Sequence, residues 1–191
     1  MTDRLTPEQR HRVMSRIHGK GTKPELKVRQ WLWQHGYRYR LNVKSVPGKP
    51  DIVMRRYRTA IFVNGCFWHG HFVEFDTDAL RHREERSDLD ITSNVENSNC
   101  CKIPQTNRDF WVNKIKRNQE RDQQNYQVLH DNGWQVIVVW EFQLTPKLIE
   151  ETMLRVELLL NEHFLALHQP KVVPYEQEHD WPMAAESPIS S

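Results

Sequence analysis

The stretch Pro47–His71, PGKPDIVMRRYRTAIFVNGCFWHGH, decides the fold. Pro47-Gly48-Lys49-Pro50 is a turn, because proline presets φ and glycine supplies conformations that other residues avoid. Asp51–Met54 then reads as a short strand and Arg55–Arg58 as a polar link. Thr59–Asn64 (TAIFVN) is a continuous apolar run of strand length, flanked by turn residues, and so is expected at the centre of a sheet. Two strands joined by so short a link form an antiparallel hairpin. The glycine-flanked segment GCFWHGH that follows reads as a loop.

Outward from this hairpin, Tyr37–Val43 (YRYRLNV) alternates polar and apolar residues like a further strand. Before it, Thr22-Lys23-Pro24-Glu25 opens a helix, with Leu26, Val28, Trp31, Leu32 and Trp33 on a broad apolar face and an end near Gly36. Thr6, Pro7 and Gln9 open an earlier helix through a capping box, running to about His18. Its few apolar residues, Val13, Met14 and Ile17, anchor it thinly, so its order is expected to depend on a partner. On the C-terminal side, residues 73–99 form a polar, acidic insertion with a short helix over 79–86. A long helix is expected from about Arg108 to Asn132, capped by Thr106 or Asn107 and ended by Gly133. Trp134–Trp140 (WQVIVVW) reads as a buried strand, and Pro146 opens a helix to about Leu167. The order implies an α/β (α+β) fold, a mixed central sheet flanked by helices. It occupies one domain over residues 1–168, followed by an acidic, proline-rich tail over 169–191 expected to be disordered. No internal repeat is visible.

The chain has 191 residues and a formal net charge of +2. No apolar run is long enough to span a membrane, and MTDRLTPEQRHR does not resemble a secretory signal. Three cysteines suit a reducing, cytoplasmic setting better than a disulfide framework. The small net charge conceals an asymmetry. Residues 1–60 carry 15 basic and 4 acidic side chains, whereas 123–191 carry 3 and 10. The first block suits a polyanion such as DNA, or else a solvated basic face balanced by the acidic half.

Three features carry chemistry. Asp51, at a strand start after a tight turn, is placed at a solvent-facing sheet edge to bind Mg²⁺ with few protein ligands and several waters, unless Pro-Asp merely makes the turn. Phe67 and Trp68 in a glycine-flanked loop suit stacking on bases or wedging between them, with His69 and His71 as ligands or proton carriers. The alternative is a core tryptophan with surface histidines. Cys66 and His71 have zinc-type spacing, with Cys100 and Cys101 after the insertion, unless these are reduced, half-buried thiols.

Seven segments occur in order: TKPELKVR (22–29), GYRYRL (36–41), PGKPDIV (47–53), FVNGCFWHGH (62–71), IPQTNRDFW (103–111), KIKRNQERD (114–122) and GWQVIVVWE (133–141). Together they resemble the very short patch repair endonucleases, the Vsr family, over about residues 6–145. The resemblance implies a PD-(D/E)xK restriction-endonuclease-like fold with a structural zinc. It also implies Mg²⁺-dependent nicking of double-stranded DNA 5′ to the thymine of a T:G mismatch, the product of 5-methylcytosine deamination.

By the same resemblance Asp51 is a Mg²⁺ ligand, the backbone carbonyl of Val63 a second, and Glu25 an acid holding metal-bound water. His69 is the catalytic histidine. Phe67, Trp68 and Trp111 wedge into the duplex, and Met14 intercalates from the other groove. Implied partners are a cytosine-5 DNA methyltransferase and mismatch-repair proteins, for a monomer acting at the bacterial nucleoid. The physical requirements agree. Phosphodiester cleavage needs charge neutralisation and an activated water, and a mismatched step costs less to unstack than a paired one.

The chain departs from the family pattern in three places. Asn64 stands where the best-known members carry a histidine. The strand after Asp51 has neither the acid nor the lysine of the general nuclease pattern, an absence the family shares. Phe142 occupies the position of the family's fourth zinc cysteine, so a complete zinc site would need Cys66, His71, Cys100 and Cys101 together. Competing readings are a nuclease of a restriction-modification system and a non-catalytic, metal-stabilised DNA-binding protein.

Overall fold

In the computed structural model, residues 21–71 and 103–169 are described, together with Thr6, Glu8, Gln9 and Arg12. The capping box expected upstream is formed in both directions. The Thr6 N–H donates to Gln9 Oε1 at 3.0 Å and the Gln9 N–H to Thr6 Oγ1 at 3.3 Å. The remainder of that helix, including Met14, lies outside the described residues, as do the acidic insertion with its helix over 79–86, Cys100, Cys101 and the tail beyond residue 169.

Thr22 caps helix α1 (Lys23–Gln34) by accepting the Glu25 N–H at 3.4 Å. Val28 and Leu32, one turn apart, are fully buried. The alternating segment after α1 yields only a two-residue strand, β1 (Arg40–Leu41), where seven residues were expected. The cause lies at both ends. Gly36 takes φ +85° and lets the Tyr37 N–H return to Leu32 O at 2.9 Å, which turns the Tyr37 ring into the core. At the other end Asn42, at φ +49°, swings the chain out of the sheet.

The hairpin is as expected. Strand β2 (Ile52–Met54) pairs antiparallel with β3 (Thr59–Asn64), Ile52 facing Ile61, through a tight turn ending at left-handed Arg58. The Arg58 guanidinium donates to Asn132 O at 2.6 Å and Gly133 O at 3.1 Å. Segment 66–69, expected as loop, is instead one helical turn, α2 (Cys66–His69), closed by Gly70 at φ +63°. Helix α3 (Arg108–Asp131) leads to β4 (Gln135–Trp140), which runs parallel to β3 over its whole length. The sheet order is β1-β2-β3-β4, so TAIFVN is internal. Helix α4 (Ile149–His168) starts three residues beyond Pro146, because residues 145–148 first make a turn in which the Leu148 and Ile149 N–H groups both donate to Thr145 O.

Each face of the sheet has its own core. On one face Ile52, Met54, Ile61, Ile137 and Val139 meet Val28 and Leu32 of α1 and Met153, Val156 and Leu160 of α4. On the other, Val53, Ala60 and Phe62 meet Leu129 and Tyr126 of α3. The result is a three-layer α+β sandwich. Among the described residues no helix is long and apolar enough to cross a membrane. Leu32→Ala removes a fully buried side chain at the junction of α1, the sheet and α4. It should cost about 2–5 kcal/mol, read as a lower urea midpoint with an unchanged m-value.

Candidate active site

Asp51 lies half-buried immediately before β2, rather than at the solvent-facing edge expected. Its Oδ2 accepts the Val63 N–H at 2.8 Å. A strand residue directs its N–H and C=O to the same edge, so the Val63 carbonyl also points to the β2 side. Continuing the hairpin register from Ile52–Ile61 sets Val63 opposite Pro50. Proline has no N–H, so the β2 ladder offers that carbonyl no donor. One carboxylate and one carbonyl that β2 offers no donor thus share the end of the hairpin.

Burial raises the Asp51 pKa. The Val63 N–H opposes this, the nearby Glu25 carboxylate adds to it, and Arg29 and His69 oppose it. Glu25 is itself buried and fully engaged. Its Oε2 accepts the Gly21 N–H at 2.9 Å and the Arg29 guanidinium at 2.6 Å, and its Oε1 accepts the Thr22 hydroxyl at 3.0 Å.

His69 reaches the site from α2. Its Nδ1 meets Asp122 Oδ2 of α3 at 2.5 Å, and the other Asp122 oxygen accepts from Arg121 at 3.0 Å. Donation from Nδ1–H to Asp122 leaves Nε2 as the ring's available nitrogen. Helix α3 clamps the whole turn. Asn118 donates to Trp68 O at 2.9 Å and Gln119 to Gly70 O at 2.9 Å, while a Cβ on Gly70 would lie 2.5 Å from Ile115 Cγ2. Asn64, the departure from the family's histidine, donates to the Tyr126 hydroxyl at 3.1 Å. Burial, and secondarily Asp122, pushes the Tyr126 pKa up, so this phenol stays neutral.

The sequence-predicted aromatics converge. Ring centroids of Phe67 and Trp68 are 5.2 Å apart, and Trp111 lies 5.3 Å from Phe67 and 6.0 Å from Trp68. Phe110 extends the group, more than half exposed and 5.2 Å from Trp111. The Lys114 ammonium sits 5.3–5.7 Å from the centroids of Trp68, Phe110 and Trp111. The sequence reading missed Phe110, Lys114 and Asp122. Their signal is helical spacing: Trp111, Lys114, Asn118 and Asp122 recur every three or four residues on one stripe of α3.

Oxygen donors such as Asp51 and the Val63 carbonyl fit a hard cation like Mg²⁺, which keeps most of its waters and needs few protein ligands. Among the described residues no three His, Cys, Asp or Glu side chains converge tightly enough to hold an ion alone. The zinc expectation finds only two of its four members within the described residues. Cys66 is buried. His71 packs its ring 4.3 Å from Trp140 and 4.8 Å from Phe142, the residue in place of the fourth cysteine.

A sheet end carrying a carboxylate, an imidazole–carboxylate pair and an aromatic–cationic surface defines a nuclease-like α+β protein. The family model described as DNA mismatch endonuclease Vsr matches residues 2–74. The chain is 42% identical over 149 residues to the type II nicking enzyme V.NmeAIP of Neisseria meningitidis, covering 78% of this chain and 89% of that one. It is 37% identical over 155 residues to the type II nicking enzyme V.XorIIP of Xanthomonas oryzae (81% and 96%), and 31% identical over 155 residues to the DNA mismatch endonuclease Vsr of Escherichia coli (80% and 83%). The chain belongs to the Vsr family of endonucleases.

The raised Asp51 pKa makes a signed prediction. The native state holds the proton more tightly than the unfolded chain, so stability falls as pH rises from the ordinary carboxylate value through the raised native one. Asp51→Asn keeps an acceptor for the Val63 N–H and removes the charge. It should raise the melting temperature by a few degrees at pH 7 and not at pH 3, as differential scanning fluorimetry across pH would show.

Proposed function

We propose that this chain is a Mg²⁺-dependent DNA endonuclease that nicks one strand of a duplex 5′ to the thymine of a T:G mismatch. The observation that carries the reading is the meeting of Asp51, the His69–Asp122 pair and the Phe67–Trp68–Trp111 cluster around the end of β3. Mg²⁺, bound by Asp51 and the Val63 carbonyl, would neutralise phosphate charge and acidify water. The remaining work falls to the chain. In hydrolysis a water oxygen bonds to phosphorus and the bond to the 3′ oxygen breaks, so one proton must leave the water and one must reach the departing oxygen. His69 Nε2 is suited to one of these transfers, with Asp122 fixing its tautomer and orientation. Glu25 acts indirectly, holding Arg29 and the start of α1 beside Asp51.

The aromatic cluster supplies selectivity. Inserting rings at a step costs unstacking energy, which is least where pairing is already poor. Lys114 over the rings brings a donor and a positive charge to the same place. This reading carries with it a soluble, DNA-associated monomer, functionally linked to a cytosine-5 methyltransferase whose sites generate the mismatch. A second reading is favoured by the relatives named type II nicking enzymes: a nicking role tied to a restriction-modification system.

The test is nicking of duplexes carrying one T:G mismatch in varied contexts, against T:A and C:G controls. Nicking 5′ to the mismatched T that EDTA abolishes is expected. His69→Ala should slow it by about 10²–10⁴-fold. Trp68→Ala should cut the T:G over T:A preference by about tenfold, the order of one lost base stack. Mg²⁺ should raise the melting temperature of the wild type and not of Asp51→Asn. Equal nicking of matched sites would move the assignment to the restriction-linked reading. Binding without nicking in any context would leave a DNA-binding protein.

A further inference from the structure

Beyond the nick site, four arginines gather around one opening. Arg40 of β1 stands opposite Val53 of β2, with Arg38 two residues before the first and Arg55 two residues after the second. With Tyr39 and Arg56 they line an open pocket of about 180 Å³. A water takes about 30 Å³ of liquid, so the pocket has room for a phosphate group and several waters.

All four arginines are exposed, and among the described residues none is in an ion pair. Two are held in place by other means. The Arg38 guanidinium lies 4.1 Å from the Trp33 ring centroid and donates to Tyr37 O at 3.1 Å, and that of Arg56 lies 5.2 Å from the Phe164 centroid. Guanidiniums so oriented and uncompensated favour an anion that takes planar, bidentate hydrogen bonds, as phosphate does. Trp33, 58% exposed beside them, adds a π-face. A nucleic acid offers both a phosphate and a base to such a surface, whereas an acidic peptide offers carboxylates alone.

The position agrees. Val53, which lines the pocket opposite Arg40, and Arg55, just past the end of β2, belong to the strand that Asp51 immediately precedes, so pocket and carboxylate share one hairpin. Four residues at about 3.3 Å each separate Asp51 from Arg55 by at most about 13 Å, close to the ~12 Å width of a major groove. We propose that the pocket of Arg38, Arg40, Arg55 and Arg56 is a second DNA-backbone site. It holds phosphates of the duplex whose cleaved phosphate lies at Asp51, and so it rests on the duplex reading above.

The test measures duplex affinity against salt concentration, in EDTA so that nothing is cleaved. Arg40→Gln/Arg55→Gln should make the slope of log K against log[salt] shallower by about 1–2 units. Lys147→Gln/Arg155→Gln, which removes the same charge elsewhere, should keep the wild-type slope. Arg40→Lys/Arg55→Lys should keep the slope and lose affinity, because lysine keeps the charge without the bidentate fork. Melting temperatures confirm that each variant is folded. A wild-type slope in the first variant, or an equal loss in the control, would overturn the proposal. So would loss of inorganic phosphate binding with the duplex slope intact, which would assign the pocket to a free anion. Because these readouts need no cleavage, failure of the nicking reading shows separately in the nicking assay.

Discussion

The site depends on a mismatch between a proline and a β-ladder. Antiparallel pairing would have the residue opposite Val63 both accept its N–H and donate to its carbonyl. Pro50 stands there and cannot donate. The next residue, Asp51, takes the N–H with its side chain at 2.8 Å. One substitution of ladder chemistry therefore fixes the carboxylate, leaves the carbonyl beside it with no donor from β2 and sets where β2 begins. The turn reading and the ligand reading of Pro-Asp are thus compatible with one geometry.

The second constraint is the attachment of α2 to α3. A helix of four residues has little stability of its own. It persists because Asn118 and Gln119 take the carbonyls of Trp68 and Gly70, and because Gly70 alone fits against Ile115. That clamp orients His69 toward Asp122 and gathers Phe67 and Trp68 against Trp111. His69 and the aromatic cluster are consequently held by one helix. A displacement of α3 would disturb both.

Elements whose signals are local were legible in the sequence. TAIFVN is internal to the sheet because it is apolar on both faces, and the Thr22 and Thr6 caps form because capping is settled within four residues. Tyr37–Val43 was misread because alternation reports half-burial and not ladder pairing: Tyr37 reaches the core from a helix cap, and Tyr39 bonds Arg29 O at 2.9 Å. GCFWHGH was misread because its helical turn is held by long-range bonds from α3. Asp122 and the arginine pocket were invisible for the same reason. Their meaning arises from residues 53 and 15 positions away, respectively, which meet only after folding.

The charges at the site also single out Asp51. Three carboxylates lie there with Arg29, Arg121 and His69. Glu25 is matched by Arg29 and capped by backbone and hydroxyl donors. Asp122 is matched by His69 and Arg121. Tyr126, kept neutral by burial, adds no fourth negative charge. Asp51 has one backbone N–H and no ion pair among the described residues, and burial holds its pKa up. A divalent cation would therefore relieve the most strain at Asp51, where the Val63 carbonyl is also available. The other two carboxylates are already paired, Glu25 with Arg29 and Asp122 with His69 and Arg121.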